Sequence, residues 1–74
     1  MVAAPEGDDD RLARLSPRER EVAIEVAAGR TNGQIAHRMH LSERTVEKHV
    51  SNMLAKLGLN TRAGVVRLMA RDTR

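Results

Sequence analysis

From Leu15 to Arg71 the apolar residues recur three and four positions apart, the spacing of helices that bury one side. Ser16 can cap a first helix, Pro17 suits its first position, and Glu19 stands three residues after Ser16, as a capping box requires. Val22, Ala23, Val26 and Ala27 follow as its apolar face, and Gly29 closes it, which predicts a helix over 17–28. Thr31 and Gln34 repeat the capping box for a short second helix over 32–39, with Ile35, Ala36 and Met39 on its apolar face. His40 and Leu41 make the turn, and Ser42 caps a third helix over 43–57, with Glu43 favoured by the dipole in its first turn. Val46, Val50, Met53, Leu54 and Leu57 form one continuous stripe along it. Gly58 ends the stripe, Leu59 is placed to pack back over the helix end, and Thr61 caps a fourth helix over 62–71. Val65, Val66, Leu68 and Met69 make that last helix mostly apolar, and Gly64 weakens its first turn slightly.

The expected fold is therefore all-α: a four-helix bundle in which the second and third helices, about three residues apart, form a helix-turn-helix. At 74 residues the chain holds one such domain, over 15–74, preceded by a flexible acidic lead-in or linker remnant over 1–14. A chain of this size buries only about 60% of its unfolded surface, and without cysteine it has no disulfide or thiolate-metal staple. Helical packing, dimerisation or a parent protein has to supply the rest.

Charge sharpens the picture. The net charge of +3 hides an uneven distribution, because Glu6, Asp8, Asp9 and Asp10 fall in a segment with no Lys or Arg. All 13 basic residues and the six other acids lie in residues 11–74, a net of +7. A small domain this basic suits a polyanion, through release of counterions from phosphates. With no Phe, Tyr or Trp the chain lacks the platforms on which single strands stack, so duplex DNA fits better. No run approaches the roughly 18 apolar residues of a membrane span, and the N-terminus has no secretory pattern, so a cytoplasmic place is expected.

The face of the third helix opposite its stripe presents Arg44, Lys48, Ser51 and Ala55, flanked by Glu47 and Asn52. Long cations followed by small residues suit a helix entering a major groove about 12 Å wide. Lys48 is expected to contact DNA; Arg44 reaches a phosphate or covers the turn. Thr45 and His49 lie on one flank, where phosphate hydrogen bonds compete, for His49, with a partly buried structural role. Ser51 and Asn52 reach base edges or backbone, and Lys56 and Arg62 are read as phosphate clamps. The amides near Thr31 and Asn32 offer further phosphate anchors. Glu19 and Glu21 are expected to pair with basic neighbours.

Several residues together resemble the C-terminal domain of LuxR/FixJ-type regulators: Leu15-Ser16-x-Arg18-Glu19, Gly29, Asn32, Ile35-Ala36, Leu41, Ser42, Thr45-Val46, His49-Val50, Lys56-Leu57 and Arg62. They span about three-quarters of the chain. The resemblance implies a four-helix bundle, a third helix in the major groove, a homodimer through the fourth helix, and an N-terminal sensor in the full-length regulator. Val65, Leu68 and Met69 are then either ordinary core or the dimer seam. Two positions depart from the family. Glu47 stands where Lys is common, and would either accept from a cytosine amino group or pair with a neighbouring cation. Gln34 replaces a usual Glu, which keeps the cap and drops its charge.

Chemistry has little footing in this sequence. His37 and His40, three apart, have no further metal ligand suitably placed nearby, and Ser42 and Ser51 have capping and surface roles. No enzyme activity, metal or cofactor is expected. The alternative from another class is a helix-turn-helix that docks on RNA polymerase or a regulatory partner.

Overall fold

A computed structural model describes residues 8–72. Among these residues five helices follow one another: α1 (Asp8–Ala13), α2 (Pro17–Ala27), α3 (Asn32–Met39), α4 (Glu43–Leu57) and α5 (Arg62–Asp72). The last four are the helices expected from the apolar pattern, with α2 ending at its Ala28 cap. The first is an addition: a six-residue helix lies where a lead-in was expected. Its Leu12 is only 1% exposed and belongs to the core, which the residues around it, an acidic run and Arg11, conceal from a periodicity reading. Residues 1–7 of that lead-in lie outside the described residues.

The starts of the helices are closed as their side chains dictate. Ser16 Oγ accepts from the Glu19 N–H at 3.2 Å while Glu19 Oε1 accepts from the Ser16 N–H at 2.9 Å. Thr31 and Gln34 exchange the same two bonds, and Ser42 Oγ accepts from the Thr45 N–H at 3.1 Å. Each such cap contributes about 1 kcal/mol.

Three helix ends share one device. After α2, α3 and α4 the chain enters the left-handed region at Gly29 (φ 85°), His40 (φ 56°) and Gly58 (φ 69°). At each, two amides reach back, as in Leu41 N–H to the Ala36 carbonyl and Leu59 N–H to the Leu54 carbonyl, both 2.9 Å. This is the Schellman pattern, which satisfies carbonyls the helix leaves open. His40 adopts it without the freedom of a glycine. Leu59, turned back by its cap, lies over Gly64, where a methyl would stand 3.2 Å from Leu59 Cδ2.

Inside, α2 packs against both α4 and α5, and α3 packs on α4. Val22, Ile35, Val46, Met53 and Val65 are fully buried where these helices meet. The expected stripe of α4 faces this core through Val46, Val50, Met53 and Leu57, with Leu54 partly covered against it. The domain is thus a small bundle that leaves the opposite face of α4 outside.

Candidate nucleic-acid interface

The outward face of α4 is built by its own periodicity. With Val46, Val50, Met53 and Leu57 inward, Arg44, Lys48, Ser51, Asn52 and Ala55 are exposed, and so is Glu47 on one flank. Among the described residues Arg44, Glu47, Lys48, Ser51 and Asn52 make no side-chain hydrogen bond or ion pair. Thr45 and His49 lie on the other flank and are half-buried. Thr45 Oγ1 accepts from Ser42 Oγ at 2.9 Å, so its hydroxyl belongs first to the start of α4.

The N-terminus of α3 stands beside that of α4. A methyl at Gly33 would lie 3.2 Å from Glu43 Oε1 and 3.9 Å from Thr31 Oγ1, so the Glu43 flank of α4 faces the first turn of α3. Thr31 is exposed and Asn32 half-buried there. The amides of this first turn have no carbonyl partner within the helix, and the Gln34 N–H donates instead to Thr31 Oγ1. The structure therefore sets the start of α4, at Glu43, against the first turn of α3, with Arg44, Glu47, Lys48 and Ser51 exposed along α4.

Other basic residues are committed inside the domain. Lys56 Nζ donates to Glu19 Oε1 at 2.7 Å, joining α4 to the start of α2. Glu19 is buried at 6% exposure, and its carboxyl is held below the usual 4.5 first by the Lys56 hydrogen bond and then by the Ser16 N–H, against the opposing effect of burial. Arg62 donates from Nη1 to Asn32 Oδ1 at 2.6 Å and from Nη2 to the Arg30 carbonyl at 2.5 Å. It ties the start of α5 to the segment that opens α3. Glu25 takes Arg38 at 2.5 Å and Arg30 at 3.6 Å, and Arg18 meets Glu21 at 3.4 Å. The Glu19 and Glu21 pairings match the expectation for those two acids. No local spacing in the sequence joins Glu25 to these partners, which come after the turn.

Val65, Leu68 and Met69, read as ordinary core or dimer seam on the last helix, lie in the core of the single chain. Val65 is 0%, Leu68 4% and Met69 9% exposed, so all three are core residues held against α2 and its neighbours. Among the described residues the large apolar side chains left exposed are Ile24 on α2, at 49%, and Val66 on α5, at 41%. They line a shallow groove with Ala27, Ala28, Met69 and Ala70. The adjacent pairs Val65-Val66 and Leu68-Met69, on either side of Arg67, leave the inward face of α5 open in the sequence, and packing on α2 decides it.

Among the described residues no group of three His, Cys, Asp or Glu side chains could hold a metal ion, and no helix is long and apolar enough to cross a membrane.

A short helix, a tight turn and a longer helix with a basic outer face define a helix-turn-helix domain. Residues 13–69 match the family model for bacterial regulatory proteins of the luxR family, and the chain belongs to that family. It is 40% identical over 74 aligned residues to the transcriptional regulatory protein FixJ of Rhizobium meliloti, covering 92% of this chain and 36% of that one. It is 47% identical over 53 residues to the DNA-binding transcriptional activator DevR/DosR of Mycobacterium tuberculosis, covering 72% and 24%. With the transcriptional regulatory protein MctR of Rhizobium johnstonii it shares 42% over 53 residues, covering 72% and 25%. The chain thus spans about a quarter to a third of the length of these relatives.

Proposed function

We propose that this domain binds duplex DNA by laying α4 in the major groove, as the output domain of a bacterial transcription regulator. One observation carries the reading. Arg44 and Lys48 lie exposed on one face of α4 with no partner among the described residues, whereas Lys56, Arg62, Arg30 and Arg38 are all committed internally. Uncommitted cations on a helix that fits the groove are a phosphate- and base-contacting surface. Relatives named as transcriptional regulators support the same assignment. Binding, with no catalysis and no cofactor, is the activity assigned, and its place is the cytoplasm.

In this arrangement Lys48, Ser51 and Asn52 face base edges or the adjoining backbone. Arg44, Thr31, Asn32, Thr45 and His49 serve the phosphates. Lys56 and Arg62 reach phosphate only by sharing the partners they already hold. Two copies joined along α5 through Val66 and the Ile24 groove would place two recognition helices on half-sites roughly one turn of DNA apart. The same groove favours the second reading, a domain that docks on RNA polymerase or a regulatory protein.

Fluorescence anisotropy of a labelled random-sequence duplex, repeated across a salt series, tests the proposal. Binding that weakens steeply with salt is expected, its slope counting phosphate contacts at about 0.9 each. Absence of binding at low salt, with a polymerase or regulator partner bound instead, would turn the assignment to the second reading.

A further inference from the structure

Glu47 is a carboxylate in a surface otherwise built for a polyanion. It is exposed and, among the described residues, has neither a hydrogen bond nor an ion pair, although Arg44 and Lys48 stand on the same helix. Its one-turn neighbour toward the helix start is Glu43, another acid. The flank that Glu43 and Glu47 share faces the first turn of α3, as the approach of Glu43 to Gly33 shows. Glu47 therefore lies one turn beyond Glu43 on the flank of α4 that meets α3, next to Lys48 on the exposed surface of the helix.

A carboxylate there is repelled by flanking phosphates unless it accepts a hydrogen bond from a base. Only two donors line the major groove, the N4 amino group of cytosine and the N6 amino group of adenine. Adenine sets its amino group beside the N7 acceptor, which opposes a second acceptor; cytosine presents its amino group with no acceptor of its own next to it. We infer that Glu47 makes this domain select a cytosine at one position of its site, and that it penalises the other three bases there. The inference rests on the duplex-binding reading proposed above. Discrimination then comes from repulsion as much as from attraction.

Selection from a randomised duplex pool, with the unaltered chain, Glu47→Ala and Glu47→Gln in parallel, tests it. Because Glu47 is exposed and alanine favours helix, the variants keep the fold, which circular dichroism checks. The unaltered chain is expected to prefer cytosine at one position by about ten-fold or more, falling below about three-fold in Glu47→Ala. Affinity of Glu47→Ala for random duplex should rise several-fold as the repulsion is removed. Glu47→Gln, which both donates and accepts, should shift that position toward adenine. An unchanged cytosine preference in Glu47→Ala, or no cytosine-selective position in the unaltered chain, overturns the inference while leaving duplex binding intact. Failure of the unaltered chain to bind any duplex would overturn the duplex-binding reading and this inference with it.

Discussion

The Lys56 ammonium meets the Glu19 carboxylate at 2.7 Å across 37 residues of sequence, and the two are unequal partners. Glu19 is nearly sealed from water, its side chain 7% exposed, while that of Lys56 is 44% exposed. Removing the lysine strands a buried charge that keeps only its bonds to Ser16. Lys56→Ala should therefore cost about 1–2 kcal/mol, less than a fully buried pair would because half of the cation is already hydrated. A shift in urea midpoint at pH 7 measures it.

The same carboxylate sets an acid limb. Its folded value is lowered, so the stability it contributes is present above the usual 4.5 and is lost as pH falls through the lowered folded value. Glu19→Gln should be less stable at neutral pH, with the difference from the unaltered chain shrinking as pH falls below 4.5. Urea titrations at about pH 7 and about pH 3 compare the two. Parallel curves would remove the carboxylate from this role.

His40 holds a left-handed conformation at φ 56° that glycine adopts at the ends of α2 and α4. His40→Gly should stabilise the domain by about 0.5–1 kcal/mol, relief of strain exceeding the added entropy of the unfolded chain. For a domain of this size that corresponds to a rise of several degrees in melting temperature.

Lys48 and Lys56 make opposite predictions. Lys48→Ala should leave melting unchanged and weaken duplex binding about ten-fold, lowering the salt slope by about one. Lys56→Ala should act chiefly on stability. A large loss of slope from Lys56→Ala at temperatures where the variant is folded would show that Lys56 trades Glu19 for phosphate.

Leu12 tests the added helix. At 1% exposure, Leu12→Ala should cost about 2–4 kcal/mol, enough to unfold a large part of a domain this small. Thermal melting decides it, and an unchanged midpoint would place α1 outside the cooperative unit.

What could be read from the chain follows physical range. The stripe runs from Val46 to Leu57 within the 15-residue α4, and each cap acts through residues three apart, so both are written locally. Those features also expose Arg44 and Lys48, and with them the candidate surface. The remainder depends on partners far along the chain. Leu12 is a lone large apolar residue in α1, and only the contacts of α1 with α4 and α5 make it core. The inward face of α5 was undetermined in the run Val65-Val66, and Glu25 acquires its two arginines only when α2 and α3 have been brought together. The Lys56 and Arg62 bonds reach across 37 and 30 residues, distances over which composition and spacing carry no information.

The Arg62 clamp has a mechanical consequence. Its guanidinium holds Asn32 Oδ1 and the Arg30 carbonyl at once, so the beginning of α5 is tied to the beginning of α3. Two domains coupled along α5 would then form a stiff caliper, with the reach from the joint to each contact on DNA fixed by that arginine. Every base pair added between the two contacts would swing one of them about a tenth of a turn around the duplex, and a stiff caliper cannot follow. Arg62 would thus let the protein measure the gap between two sites as well as read each one.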